Sequence, residues 1–261
     1  MNCQLKNPKS EIRNPKSERG FSLTEVLLAV ATLAVGMLFI AGVFPVSIHF
    51  TTVAAERTIA ATVADEAFAK IKLYGISDAN WIAGGQTPFE LVAAVQPPSY
   101  EFGYPSNTTD LSQKYWWSAI CRRVGPADVQ VTVFISRKVG TGTQFRIRSS
   151  PPLFNLTTVD RPVAVFVSVS AGGRADELTI NDNLPDGINE TTFINDGATI
   201  VDDAAGNIYR VLERYPAIPN VIRLDKNWQG GALPGLVWVI PPPVGSGRYP
   251  CIAVYQKVMR F

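Results

Sequence analysis

From Val26 to Ala55 the chain carries no Asp, Glu, Lys or Arg. The core of that stretch, Val26 to Ile48, would span about 34 Å as a helix at ~1.5 Å per residue, enough to cross the hydrocarbon core of a bilayer. A secretory signal has a shorter apolar run followed by a small-residue cleavage site. Here Ala29, Ala31 and Ala34 lie inside the run and do not end it, so a membrane span is the better reading. Helical periodicity continues beyond it. Ile59, Val63, Ala67 and Ile71 recur at intervals of four, and Val53, Ala60 and Phe68 broaden the stripe. Glu56, Arg57, Asp65 and Glu66 fall off the stripe, and Glu66 with Lys70 makes an i,i+4 pair. Gly75 is a plausible stop. The pattern predicts one helix over residues 21–75, with its transmembrane part at about 26–48.

Residues 76–114 are rich in Gly, Pro, Ser and Asn and read as a long connection. Strand-like runs follow at Tyr115–Val124, Val129–Val139, Phe145–Arg148, Val163–Ser170, Thr199–Val201, Ile208–Tyr215, Val221–Leu224, Leu236–Ile240 and Ile252–Val258. Val129, Val131, Val133 and Ile135 alternate with Gln130, Thr132 and Ser136, and only Phe134 breaks the polar side. Asp202 to Asn207 reads as a hairpin turn before Ile208. A long helix followed by an antiparallel sheet is an α+β plan, with residues 76–261 forming the β-rich domain.

Gly36, Gly42 and Pro45 interrupt the apolar half of the helix. In water a helical Gly costs about 1 kcal/mol and Pro about 3 kcal/mol. Membrane helices tolerate both, so the three residues are either ordinary or a local hinge that lets the helix bend on leaving lipid.

Composition changes this picture little, because 46% hydrophobic and 18% charged residues suit a globular domain plus one apolar segment. A formal net charge of +2 argues against nucleic-acid binding over the whole chain. Charge position is more informative. Lys6, Lys9, Arg13, Lys16 and Arg19 stand against only Glu11 and Glu18 immediately before the apolar run. The positive-inside rule keeps that block in the cytoplasm and sends the remainder across the membrane. Residues 1–20 also hold a near-duplicate, Asn7 to Glu11 and Asn14 to Glu18, with two prolines and no apolar period, which reads as a leader outside the fold.

At the junction lies Arg19-Gly20-Phe21-Ser22-Leu23-Thr24-Glu25. An ionised Glu25 at the mouth of an apolar run costs several kcal/mol if drawn unpaired into hydrocarbon; at the membrane edge, the helix N-terminus would help it. The seven residues resemble the type IV prepilin signature, in which a basic residue and Gly precede Phe, with Glu four positions later. The stretch Ala29–Leu38 is similar to that of minor pilins and type II secretion minor pseudopilins, and the resemblance covers residues 18–74. It implies cleavage after Gly20 by a prepilin peptidase and N-methylation of Phe21. It also implies that Glu25 offsets the new amino group of a neighbouring subunit during assembly. Other pilin or pseudopilin subunits, the peptidase and the inner membrane are the partners so implied. The β domain would be periplasmic, then part of a periplasmic or cell-surface filament.

Cys3 would leave with the leader. Cys121 and Cys251 remain, each in an apolar strand-like run. In an exported domain they could pair, or they could be free buried thiols. No cofactor or metal site is expected. His49, the only histidine, stands at the membrane edge, which removes a Ser-His-Asp triad and any multi-histidine site from the β domain. Asp182, Asp186 and Glu190 form an acidic turn whose Pro185 and spacing break the EF-hand pattern, although a calcium loop stays open. Asn107, Asn155 and Asn189 begin N-x-Ser/Thr triplets, which are frequent by chance.

Tyr115, Trp116 and Trp117 beside Arg122 and Arg123 invite a stacking-and-phosphate reading. Aromatics filling the core and sheet faces are the simpler account. Pro241-Pro242-Pro243 reads as a rigid turn or a polyproline surface. The chain is therefore expected to be a structural subunit, not an enzyme. An uncleaved, signal-anchored periplasmic binding domain and a DNA-uptake pseudopilin are the rivals.

Overall fold

The computed structural model describes residues 20–106, 113–138, 143–150, 153–157, 160–170, 173–182, 188–245 and 249–261. A single helix, α1 (Leu23–Tyr74), opens the described chain. One compact unit runs through Val53, and the second is Ala54–Phe261. In the first, every residue from Gly20 to Thr52 is exposed, and the helix is apolar on all sides. Such a helix has no face to turn toward water, and it is the one described helix long and apolar enough to cross a membrane.

The second unit begins with the last turns of α1. Gly75 ends them with φ 69°, its N–H donating to the Ile71 carbonyl at 3.0 Å. A side chain is strained in that left-handed conformation, so Gly is the residue suited to the stop. The elements that follow are β1 (Thr87–Pro88), α2 (Phe89–Val92), β2 (Gly103–Tyr104), β3 (Tyr115–Arg123), β4 (Asp128–Arg137), β5 (Phe145–Ser150) and β6 (Leu153–Thr157). Then come β7 (Val163–Val169), β8 (Glu177–Asn181), β9 (Thr199–Asp202), β10 (Ile208–Arg214), β11 (Val221–Leu224), β12 (Gly235–Val239) and β13 (Cys251–Arg260).

These strands do not form one sheet. A five-stranded sheet has the order β1-β3-β4-β13, with β2 also on β3, while β10-β11-β8-β7-β12-β9 close into a barrel and β5-β6 form a hairpin. The barrel is thus inserted between β4 and β13, two antiparallel neighbours in the sheet. Three apolar clusters follow. Ala60, Val63, Ala64, Ala67 and Ile71 of α1 pack on Trp117, Cys121, Val131, Val133 and Ile135. Inside the barrel, Val163, Val165 and Val167 meet Ile180, Ile200, Val211 and Ile222. The third cluster joins the other face of the sheet to the barrel wall through Ile120, Phe134, Ala164, Val201 and Trp238.

That third cluster accounts for Phe134. It faces away from the helix but is fully buried, because the barrel covers the face that alternation assigns to solvent. The segment 76–114, expected as a loop-rich connection, also supplies core: Phe89, Val92 and Phe102 are buried against Trp117 and the helix. The stripe on α1 is centred as expected, with Ala64 buried in addition and Ile59 and Phe68 at its margin.

Polar contacts fix α1 to its sheet. Glu56 receives a hydrogen bond from Arg137 at 2.8 Å, both side chains being mostly buried. Lys70 pairs with Glu66 at 2.8 Å and with Glu101 at 2.9 Å, and it donates to Ser106. Burial alone would raise the Glu66 carboxyl, but the bonds from Lys70 and Ser106 and the Lys70 charge outweigh it and hold the group below its usual value.

The expected hairpin turn, Asp202 to Asn207, is present and is locked to the sheet. Arg122 donates to the Ala204 and Ala205 carbonyls at 2.8 Å, and Gln256 donates to Gly206 at 2.7 Å. Gly206 has φ 73°, and a Cβ there would meet Gln130 Oε1 at 2.6 Å. Asp203 accepts from the Gln86 backbone N–H at 2.9 Å and from Trp238 Nε1 at 2.6 Å.

Candidate assembly site at the N-terminal helix

Ser22 immediately precedes α1, and its carbonyl accepts from the N–H groups of Glu25 at 3.0 Å and Val26 at 3.1 Å. Its hydroxyl lies 2.7 Å from that of Thr24. These bonds start the helix one residue after Ser22 and set Glu25 in the first turn. There the unpaired backbone N–H groups favour a carboxylate. Gly20 and Phe21 lie outside the helix, Phe21 being 83% exposed. Both residues that flank the Gly20–Phe21 bond are exposed. No described residue makes a hydrogen bond or ion pair with the Glu25 carboxylate, so one acidic group stands alone before the uncharged run Val26–Ala55.

Gly36, Gly42 and Pro45 do not interrupt α1. A Cβ at either glycine would meet nothing within 4 Å. Pro45 removes the donor that would meet the Ala41 carbonyl. Just beyond it, Ser47 donates to the Val43 carbonyl at 3.0 Å, Thr51 to Ser47 at 2.8 Å and Thr52 to Ile48 at 2.9 Å. Hydroxyls bonded back onto the helix in this way relieve their own desolvation and soften the ladder they share. His49 is exposed on this segment, its ring 6.0 Å from Phe50 in an edge-on arrangement.

The sequence leaves open whether Cys121 and Cys251 pair; in the structure both thiols are free. Cys121 opposes Val131 on one side of β4, and Cys251 opposes Ser136 on the other. Two strand spacings of about 4.8 Å already exceed the Cα reach of a disulfide, about 4.4–6.8 Å. Cys121 also packs in the helix-side cluster, whereas Cys251 joins the barrel-side one.

The aromatic and basic run on β3 has internal partners. Trp117 is 2% exposed, lies with its ring centroid 4.7 Å from that of Phe102 in a tilted arrangement and donates to the Glu101 carbonyl at 2.9 Å. Arg123 lies over Trp81 at 4.7 Å and pairs with Asp78. Asp182 ends the β8 region, Glu190 is buried and Asp186 lies outside the described residues. Among the described residues no three His, Cys, Asp or Glu side chains gather to hold a metal. Asn189 caps the short turn Glu190–Phe193 by accepting from the Thr191 N–H at 3.0 Å. Asn155 lies on β6, and Asn107 lies outside the described residues. Pro241 and Pro243 are buried between β12 and β13, leaving Pro242 half-buried.

The leader, residues 1–19, is outside the described residues. Sequence reasoning missed Glu56–Arg137 and Lys70–Glu101, because their partners lie far along the chain. No family model matches this chain, and no curated protein matches it.

Proposed function

We propose that this chain is a pilin-like structural subunit, a minor pilin or pseudopilin. In this reading it is held in the inner membrane by α1 until it joins a filament of a type IV pilus or type II secretion kind. The observation that supports the reading most is the first half of α1: every side chain from Gly20 to Thr52 is exposed, with one carboxylate, Glu25, in the opening turn. In lipid that surface is satisfied. In a filament it would be satisfied by the same half of neighbouring subunits. Cleavage after Gly20 would create an amino group at Phe21, and Glu25 of an adjacent copy would offset it. A desolvated charge pair in a helical bundle is far less costly than either charge alone.

The chain transfers no group in this reading; it is the substrate of a processing peptidase and methyltransferase. The β-rich unit would face the periplasm or the cell surface. The test is Glu25→Ala in cells that assemble the filament. Membrane insertion should be unchanged while incorporation falls. Equal incorporation of the two forms would remove the pairing role, and an uncut variant and parent would favour the signal-anchored binding domain.

A further inference from the structure

Among the described residues the barrel strands leave no open edge, and the sheet leaves one long one. The six barrel strands pair in a ring, and the outer edge of β3 carries β2 at Tyr115–Trp116 and β1 at Ile120–Cys121. The longest open edge among the described residues is that of β13, which pairs with β4 on one side, Ile252 falling at a register shift.

Register fixes which groups are left. The Phe261 N–H donates to Ala127 at 3.0 Å, and the ladder then pairs Met259 with Val129, Lys257 with Val131 and Tyr255 with Val133. In an antiparallel ladder alternate pairs exchange both hydrogen bonds. The main-chain groups of Val254, Gln256, Val258 and Arg260 therefore point away from β4, to the outer edge. Gln256, Lys257, Val258 and Arg260 are exposed. An unpaired edge of this length is a template for another strand.

Side-chain charge selects the occupant. From Cys251 to Phe261 there are two basic residues, Lys257 and Arg260, and no acidic one; Asp128 stands opposite Arg260 on the ladder side. Two copies of β13 set edge to edge would bring like charges together on one ribbon, which disfavours self-pairing. An acidic strand meets complementary charge along the same edge. We propose that the outer edge of β13 docks one extended, acidic segment of a partner polypeptide by main-chain hydrogen bonds. The inference concerns the β-rich unit and stands independently of how residues 20–25 are processed.

The test uses the full chain in detergent micelles with a blocked eight-residue peptide alternating Glu and Val, and a Lys-Val peptide as control. Residue-resolved amide exchange by NMR is the readout. Without peptide, Val254, Gln256, Val258 and Arg260 should exchange rapidly, while Tyr255, Lys257 and Met259 are protected. The Glu-Val peptide should slow the first set by about tenfold or more, and the Lys-Val peptide should bind about tenfold more weakly. Val258→Pro removes one outward N–H without touching the β4 ladder and should abolish the effect. The double variant Lys257→Glu and Arg260→Glu should reverse the peptide preference, which separates docking from misfolding. No slowing with Glu-Val, equal binding of both peptides, or protection that grows with protein concentration alone would overturn the proposal; the last result would make a second copy the occupant.

Discussion

Asp160 offers a quantitative test of how the sheet and barrel are joined. It stands just before β7, where the chain enters the barrel, and is 3% exposed with no partner for Oδ2 among the described residues. Burial pushes its carboxyl up to about 6 from an ordinary 3.8, against the pull of hydrogen bonds from Ser136 and from its own backbone. The folded chain thus keeps a proton that the unfolded chain releases between those values. Stability from this group is fully present below the unfolded value, falls as pH rises through the window and is flat above it. A shift of about two units at ~1.36 kcal/mol each corresponds to about 3 kcal/mol. The neighbouring Cys251 thiol is itself pushed up to about 12 by burial, and burial raises Tyr249 far above its ordinary value, so neither titrates in the window.

Asp160→Asn keeps the shape and removes the ionisation. Urea unfolding of the full chain in detergent, followed by tryptophan fluorescence, should show the parent losing about 3 kcal/mol more stability than the variant between about pH 4 and about pH 7. At about pH 7.5 the variant should be the more stable by about 1–3 kcal/mol, the lower figure allowing for an imperfectly bonded amide. A variant that keeps the parent's slope, or is less stable at that pH, would refute the reasoning.

Trp117→Ala should cost about 3–5 kcal/mol, because the ring fills the contact between α1, Phe89 and Phe102; urea midpoints measure it. Glu56→Gln should cost about 1–3 kcal/mol by weakening the charge-assisted bond from Arg137, and exchange protection should fall first in the second half of α1. Thiol alkylation without reductant should label Cys121 only after unfolding, since it is fully buried and burial raises its thiol above the ordinary range. A mature chain unfolded without reductant should then take two labels, and a chain that retains Cys3 should take three.

The long helix is legible because its signals are local: an uncharged run, then a repeating stripe, then Gly75. Nine of the strands are legible for the same reason, each from its own alternation or apolar run; β6, Leu153–Thr157, is not among them. Their partition is not. Val254 pairs with Phe134 across the whole inserted barrel, and no short-range pattern announces that partner. β8, Glu177–Asn181, went unrecognised because it is short and begins with an acidic residue that is nonetheless buried near Tyr215, whose hydroxyl donates to it at 2.8 Å. β1 and β2 are two residues each and carry no period at all. At the candidate site the identities Gly20, Phe21 and Glu25 are visible in sequence. The exposure of Phe21 and the placement of Glu25 in the first turn come from the fold.

The most direct measurement is the intact mass and N-terminal sequence of the protein extracted from membranes of cells that carry a prepilin peptidase. The account expects a chain beginning at Phe21, with residues 1–20 lost and one methyl group on the new amino terminus. A chain that still begins at Met1 would contradict it.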